Sequence, residues 1–215
     1  MAEHSSHVAH QFDDSTQQYE ASTLGMWAFL VTEIMFFGGL FAGFLVYILG
    51  HAQAFAEGSR HLDLALGTVN TVVLLGSSLT MALAVRSAQQ GHRNGQLVFL
   101  GLTVILGSVF LGIKGLEYAH KFEQHLVPGP GFRLDGPHDQ SAQLFFSFYF
   151  AMTGVHALHM VVGIGVLAWL FVNAWRGKYT EDYFTHVEVS GLYWHFVDVV
   201  WIFLFPTLYL VARHG

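Results

Sequence analysis

Cysteine is absent from the 215-residue sequence, and charged side chains are scarce. Without thiols the chain cannot form a disulfide, hold an iron–sulfur cluster with its own side chains or build a cysteine-ligated copper centre. Only 11% of the residues are charged, where a soluble domain carries about 25%. Just nine residues are Lys or Arg, so the chain lacks the basic surface that nucleic acid requires. The composition excludes nucleic acid as a partner and argues against a soluble fold.

Apolar residues, in contrast, make up 53% of the chain. A transmembrane helix needs about 20 mostly apolar residues. The sequence contains five such stretches, at residues 24–49, 64–85, 96–118, 142–174 and 187–212. The fourth is longer than one span needs, and tilting or extension beyond the membrane would accommodate the excess. We therefore predict an all-α integral membrane bundle of five transmembrane helices in residues 23–215, preceded by a flexible polar N-terminal tail at residues 1–22.

The basic residues do not decide the orientation of this bundle, because the positive-inside rule gives a tie. Four lie on the side of the N-terminal tail and four on the other side, in the order Arg86, Arg93, Arg176 and Lys178, then Arg60, Lys121, Arg133 and Arg213. The tail itself contains His4, His7 and His10 at regular spacing. In a flexible segment we interpret this spacing as incidental rather than as a metal site.

Ionisable side chains inside the predicted spans are costly, so each is a candidate functional residue that needs a partner within the protein. Glu33 lies about nine residues, on the order of 13 Å, inside the first span, too deep to reach water. Its neighbours are apolar, and an isolated carboxyl in such surroundings favours its protonated form. Two interpretations stay open: a site of proton conduction or coupling, and a hydrogen-bonded carboxyl that determines helix packing.

Three ionisable residues of the fifth span, Glu188, His195 and Asp198, are separated by seven and three positions. This spacing places them along one stripe of a helix, which must face protein rather than lipid. Because the first and fifth spans cross the membrane in the same direction, Glu33 and His195 lie at similar depths, and we hypothesise that they pair. The alternative, at least as good for Glu188 and Asp198, is an internally hydrogen-bonded stripe that holds the bundle together.

Two histidines of the fourth span, His156 and His159, share a helix face and are candidates for a metal or haem site together with His195. No local signature beyond spacing supports such a site, so we favour hydrogen-bonded structural histidines or histidines in contact with lipid. Lys114 and Glu117 stand three residues apart near the end of the third span. There they can pair and reach the membrane interface, and interface pairing is our expectation.

Three segments together carry a close resemblance to a known family. They are LGMWAFLVTEIMFF at residues 24–37, TGVHALH at residues 153–159 and YWHFVDVVW at residues 193–201, with weaker support from residues 75–80 and 110–118. Over about residues 22–212 the chain closely resembles subunit III of cytochrome c oxidase. It looks like the short five-helix bacterial form of that subunit, which lacks the first two helices of the longer members.

The resemblance implies a haem–copper oxidase complex that reduces O2 to water with electrons from cytochrome c and pumps protons. It implies an accessory, non-redox subunit with no cofactor or metal of its own, with haems and copper in partner subunits and with bound phospholipid. The implied neighbours are catalytic subunit I and subunit II. The implied location is the bacterial cytoplasmic (inner) membrane, with the N-terminus cytoplasmic and the C-terminus periplasmic.

Within that family, Glu33 matches the buried carboxyl known for its reactivity with carbodiimide, a reaction that requires a protonated carboxyl in an apolar setting. The resemblance assigns no catalytic residue to this chain. It implies a polar network, or contact with lipid, for His156, His159, His195, Asp198, Glu188 and Trp194.

Two other functions stay as alternatives. Buried carboxylates and histidines also form relays in proton-coupled transporters and channels. However, the sequence shows neither inverted repeats nor broken helices, and five spans do not divide into two equal halves. A haem-binding membrane anchor would use His156 or His159 together with His195, and a haem Soret band in the spectrum of the isolated chain would identify it.

Overall fold

A computed structural model describes residues 11–134, 139–179 and 183–210. Within these residues the chain forms six α-helices: α1 (Ser15–Gly50), α2 (Ala52–Arg60), α3 (Leu64–Gln89), α4 (Arg93–Glu123), α5 (Asp139–Trp175) and α6 (Thr185–Tyr209). All except α2 are long and apolar enough to cross a membrane. The prediction of an all-α bundle with five transmembrane helices is therefore confirmed. The tail histidines His4, His7 and His10 lie outside the described residues.

The first helix begins earlier than the apolar pattern predicts. Asp14 is its N-cap residue, and the Asp14 side chain accepts a hydrogen bond from the backbone N–H of Gln17 at 2.7 Å. The Gln17 side chain in turn accepts one from the backbone N–H of Asp13 at 2.8 Å. This reciprocal pattern resembles a capping box, which satisfies amide groups that the first helical turn leaves free. Residues 15–22 are consequently helical, although the sequence placed them in the flexible tail.

The predicted spans underestimate the length of most helices. α1 contains 36 residues and α5 contains 37. At 1.5 Å per residue these helices are roughly 55 Å long, whereas the hydrocarbon layer is about 30 Å thick. The excess length predicted for the fourth span is thus present in α5, and it extends the helix well beyond the thickness of the hydrocarbon layer.

The sequence-based assignment missed the short helix α2, which contains nine residues and lies between the first two spans. Its anchor is Phe55, which is completely buried. The Phe55 ring lies 5.2 Å from the ring of Phe44 in α1 and 5.6 Å from that of Phe145 in α5. A nine-residue helix has no long apolar run, so its position depends on these three aromatic side chains meeting in space.

Helices α3 to α6 form the compact part of the bundle, and α1 lies on its outer side. α3 packs along α4 and α6, α5 packs between α4 and α6, and α1 contacts mainly α6 with a smaller contact to α5. Much of α1 is left exposed, including the large apolar side chains of Leu24, Trp27 and Met35. Such side chains face either lipid or another membrane-spanning subunit.

At the centre of the bundle, Trp194 of α6 is completely buried against two glycines. A Cβ atom on Gly107 of α4 would lie 2.7 Å from Cη2 of the indole, and one on Gly163 of α5 would lie 3.0 Å from Cζ3. Small residues let membrane helices approach closely around a large side chain. The rotation of α6 against α4 and α5 is therefore determined by this indole and the two positions that make room for it.

Candidate functional site

Glu33 of α1 pairs with His159 of α5. The Glu33 Oε2 and His159 Nε2 atoms are 3.1 Å apart, and the two side chains are 18% and 16% exposed. The hypothesis that Glu33 pairs with His195 is wrong, because depth in the membrane does not determine rotation about a helix axis. At this level α6 presents Phe196 to α1, and the Phe196 ring lies 6.2 Å from that of Phe37. His195 is 100° further around the helix.

A hydrogen bond between Glu33 Oε2 and His159 Nε2 requires one proton between the two atoms. His159 Nδ1 is 2.9 Å from the backbone carbonyl of Val155, which can only accept a hydrogen bond, so Nδ1 carries a proton and donates it there. Nε2 then faces Oε2 either as the acceptor from a protonated carboxyl or as the donor of an imidazolium to a carboxylate. The pair can therefore exist as two neutral groups or as an ion pair, and one proton shift interconverts the two states.

The surroundings of this pair are apolar. The Phe37 ring lies 5.3 Å from the His159 ring, and Ile34 and Phe36 expose large parts of their side chains beside Glu33. Tyr193 of α6 donates a hydrogen bond to the His159 backbone carbonyl at 3.0 Å, which positions the turn that carries the histidine. The site is thus a protonatable pair held between three helices at the edge of the bundle.

Two of the α6 residues singled out in the sequence, Trp194 and His195, form hydrogen bonds with α3. Trp194 Nε1 donates to Ser77 Oγ at 2.9 Å, and His195 Nδ1 lies 2.8 Å from Ser78 Oγ. Asp198 is buried on the same helix with 3% exposure. These contacts agree with the expectation that the polar stripe faces protein.

Glu188, the first residue of the predicted stripe, lies near the start of α6. It is half-buried, and its carboxyl lies close enough to Tyr19 of α1 to interact with it electrostatically. This contact and the Glu33–His159 pair are polar links between α1 and the rest of the bundle. Glu188 therefore contributes to holding the N-terminal part of α1 rather than to the contacts that His195 makes with α3.

His156 and His159 do not act together, although they are three residues apart. His156 is buried, and its ring lies 5.6 Å from that of Phe110 and 5.3 Å from that of Trp201. Neither ring nitrogen of His156 has a hydrogen-bond partner among the described residues. Across all the residues that the structure describes, no three His, Cys, Asp or Glu side chains converge to form a metal-binding group. The structure does not bring the three candidate histidines to one point.

Lys114 and Glu117 pair as expected, but they lie in a buried polar cluster inside the bundle, so the expected position at the membrane interface is wrong. Their exposures are 4% and 1%. Lys114 Nζ donates to Glu117 Oε2 at 2.9 Å, to the hydroxyl of Tyr149 in α5 at 3.2 Å and to that of Tyr209 in α6 at 2.9 Å. Both tyrosines also donate to Glu117 Oε1, at 2.9 and 2.6 Å. We call these four residues the Lys114 cluster.

The Lys114 cluster could not be predicted from the sequence, because Tyr149 and Tyr209 are far from Lys114 along the chain. Its geometry indicates a structural role: the ammonium group uses its three donors, and both carboxylate oxygens accept. A buried ion pair that is fully hydrogen-bonded avoids the cost of an unpaired intramembrane charge. The cluster joins α4, α5 and α6 at one end of the bundle.

An aromatic group lies between α5 and α6, at the other end. The rings of Tyr179 and Tyr183 are stacked at 6.3 Å, and the His186 ring is 5.3 Å from that of Tyr183. Burial, with a smaller contribution from Tyr183, raises the pKa of Tyr179 to about 12. Tyr179 therefore keeps its proton at neutral pH, and its role in this group is aromatic packing.

The fold and the site define a multi-pass helical membrane protein with protonatable groups inside the bundle. A family model described as cytochrome c oxidase subunit III matches residues 9–213. The cytochrome bo(3) ubiquinol oxidase subunit 3 of Pseudomonas aeruginosa is 31% identical over 95% of this chain and 92% of its own length. The cytochrome c oxidase subunit 3 of Thermostichus vulcanus is 32% identical over 94% of this chain and 92% of its own. That of Corynebacterium diphtheriae is 34% identical over 88% and 87%.

The chain therefore belongs to the cytochrome c oxidase subunit III family of the haem–copper oxidases. It is a multi-pass subunit of an inner-membrane terminal oxidase. The resemblance found in the three sequence segments is confirmed. The structure adds His159 as the partner of Glu33, Ser78 as the partner of His195, and the two tyrosines of the Lys114 cluster.

Proposed function

We propose that this chain is an accessory, non-redox subunit of a proton-pumping haem–copper oxidase, packed against catalytic subunit I and assembled with subunit II. In this proposal the haems and copper reside in the partner subunits, and the complex reduces O2 to water. Membership of the subunit III family supports the proposal. The sequence has no cysteine, so this chain cannot supply the thiolates of an iron–sulfur cluster or of a cysteine-ligated copper centre.

The proton-related role that we assign to the chain rests on the Glu33–His159 pair. The Glu33 Oε2 and His159 Nε2 atoms are 3.1 Å apart in apolar surroundings and can share one proton. Such a pair can take up and release that proton with a small rearrangement of the two side chains. We propose that this pair supports proton uptake by the complex and that the rest of the chain contributes stability. No catalytic residue is assigned to the chain itself.

Lipid binding is proposed for a groove between α1 and α6. The groove has a volume of about 360 Å³ and an apolar lining that includes Phe37 and Phe41 of α1 with Phe196 and Phe203 of α6. Its lining begins at Ile34, next to Glu33 in α1. An acyl chain of a phospholipid matches this lining, because an apolar groove inside the membrane is filled by hydrocarbon rather than by water.

Orientation and electron donor are also proposals. We place the N-terminus in the cytoplasm and the C-terminus in the periplasm, as the family topology implies. We propose cytochrome c as the donor, in keeping with the description of the matching family. Several relatives are named as quinol oxidase subunits, among them that of Bacillus subtilis. Oxygen uptake by the purified complex with quinol but not with reduced cytochrome c would contradict this donor.

The test of the proposed function is purification of the complex through an affinity tag on this chain. We expect mass spectrometry to identify the haem- and copper-bearing oxidase subunits, and optical spectra to assign haem only to fractions that contain them. A strain without the chain should form an oxidase that takes up protons more slowly and loses activity sooner during turnover. Proton transport by the isolated chain in vesicles, or a Soret band of that chain alone, would contradict the accessory role.

A further inference from the structure

Ser78 of α3 contacts a histidine of α6 that lies one helical turn before a buried acid. The Ser78 Oγ atom is 2.8 Å from His195 Nδ1, and Asp198 follows His195 by three residues on the same face of α6. Ser78 is 14 residues from the start of α3, and Asp198 is 13 from the start of α6. At 1.5 Å per residue both are about 20 Å from a helix end, which is near the middle of the membrane.

Asp198 has no charged partner. It forms no ion pair with a described residue, and no lysine, arginine or second carboxylate of the described chain acts on it. Neither carboxyl oxygen meets the geometry of a hydrogen bond with those residues. An unpaired carboxylate at 3% exposure near the middle of a membrane is very unfavourable, so the acid is neutral and carries a proton.

Histidine and serine can complete a path for that proton. With the proton on Asp198, the acid reaches the Ser78 oxygen after a change of side-chain torsion, and the Ser78 hydroxyl donates to His195 Nδ1. With the proton on His195, the same two contacts run in the opposite direction: Nδ1–H donates to Ser78, and Ser78 donates to the Asp198 carboxylate. One hydroxyl serves both arrangements because it donates and accepts at once.

We propose that Asp198, Ser78 and His195 form a second proton-binding site in this chain, separate from Glu33 and His159. Transfer is balanced: the Asp198 O–H bond breaks as a Ser78 O–H bond forms, the former Ser78 proton moves to Nδ1, and a carboxylate and an imidazolium result. His195 is half-buried, whereas Asp198 is buried. The site therefore links the surface of the bundle to its interior between α3 and α6.

Infrared spectroscopy on the intact oxidase complex tests this site, with the protonated-carboxyl stretching band as the readout. We expect such a band at neutral pH, and we expect ¹³C-aspartate labelling to shift it, which distinguishes it from Glu33. Asp198→Asn should remove the band. If that variant does not assemble, the labelled wild-type complex and the Ser78 variants below still decide the result.

Ser78→Ala should shift the Asp198 band, because the acid loses its neighbouring hydroxyl, and should slow hydrogen–deuterium exchange of the carboxyl at least about tenfold. Ser78→Thr, which keeps a hydroxyl, should restore the exchange. Ser77→Ala is the matched control, since the adjacent Ser77 accepts from Trp194 instead. The absence of any aspartate-derived band, or equal exchange in Ser78→Ala and Ser77→Ala, would overturn the proposal.

Discussion

The Lys114 ammonium group donates a hydrogen bond to the Tyr209 hydroxyl at 2.9 Å, and this contact joins α4 to the last turn of α6. The same hydroxyl donates to Glu117 Oε1 at 2.6 Å. A lysine and a glutamate can therefore lie inside a membrane bundle without reaching water. Tyrosine hydroxyls from two other helices supply the hydrogen bonds that the two charged groups do not make with each other. This arrangement makes the stability of the chain sensitive to each member of the Lys114 cluster.

Lys114→Met should destabilise the chain by about 3–5 kcal/mol, because it leaves the Glu117 carboxylate buried without a counter-charge. The double variant Lys114→Met with Glu117→Gln removes both charges and should lose much less stability than the single variant. Unfolding of the purified complex in detergent, followed through retention of this subunit, measures the difference. Equal losses in the single and double variants would show that the charges are not coupled.

Tyr209→Phe should cost about 1–3 kcal/mol, because the change removes one donor to Glu117 and one acceptor for Lys114 inside the bundle. Tyr47→Phe is the matched control, since the Tyr47 side chain is 45% exposed and belongs to the end of α1. Thermal dissociation of the subunit from the complex compares the two. Wild-type stability of the Tyr209 variant contradicts the role assigned to its hydroxyl.

Glu33→Gln should abolish labelling of the α1 peptide by a hydrophobic carbodiimide while the subunit stays in the complex, because the amide keeps the size of the side chain and removes the reactive acid. Glu20→Gln changes an exposed carboxyl on the same helix and should leave labelling unchanged. Mass spectrometry of labelled peptides provides the measurement. Undiminished labelling of the Glu33 variant would identify another carboxyl as the reactive group.

Gly107→Ala should destabilise the bundle by about 1–3 kcal/mol, because the added methyl group meets the Trp194 indole at 2.7 Å and neither helix can move without disturbing its neighbours. Gly112→Ala, on the same helix, has no described atom within 4 Å of the added carbon. It should be neutral or slightly stabilising, since alanine favours the helix. Subunit content and thermal stability of the complex separate the two variants.

Much of the architecture was readable from the sequence. The five spans follow from apolar length, because a lipid-exposed backbone must be helical and about 20 residues long. The family resemblance was carried by residues 24–37, 153–159 and 193–201, and the family match confirms it. In contrast, α2 was missed because a nine-residue helix has no long apolar run. The start of α1 was placed too late because the helix begins in polar sequence, directly after the N-cap residue Asp14.

Glu33 shows where sequence reasoning ended. Its depth and its apolar neighbours identified it as a residue in need of a partner, and depth alone suggested His195. The partner is His159, because α6 presents Phe196 to α1 and turns His195 towards Ser78. Lys114 was placed at the interface for a similar reason: its proximity to a helix end was visible, but Tyr149 and Tyr209 were not.

The amino-acid sequence by itself determined that this chain is a five-span helical membrane protein of the subunit III family, because lipid selects for apolar length and the motifs are local. Only the tertiary structure decided which ionisable groups meet. Helical periodicity determines which residues share a face, but the rotation and crossing of each helix depend on side chains from other helices. Here Trp194 packing against Gly107 and Gly163 sets that rotation for α6.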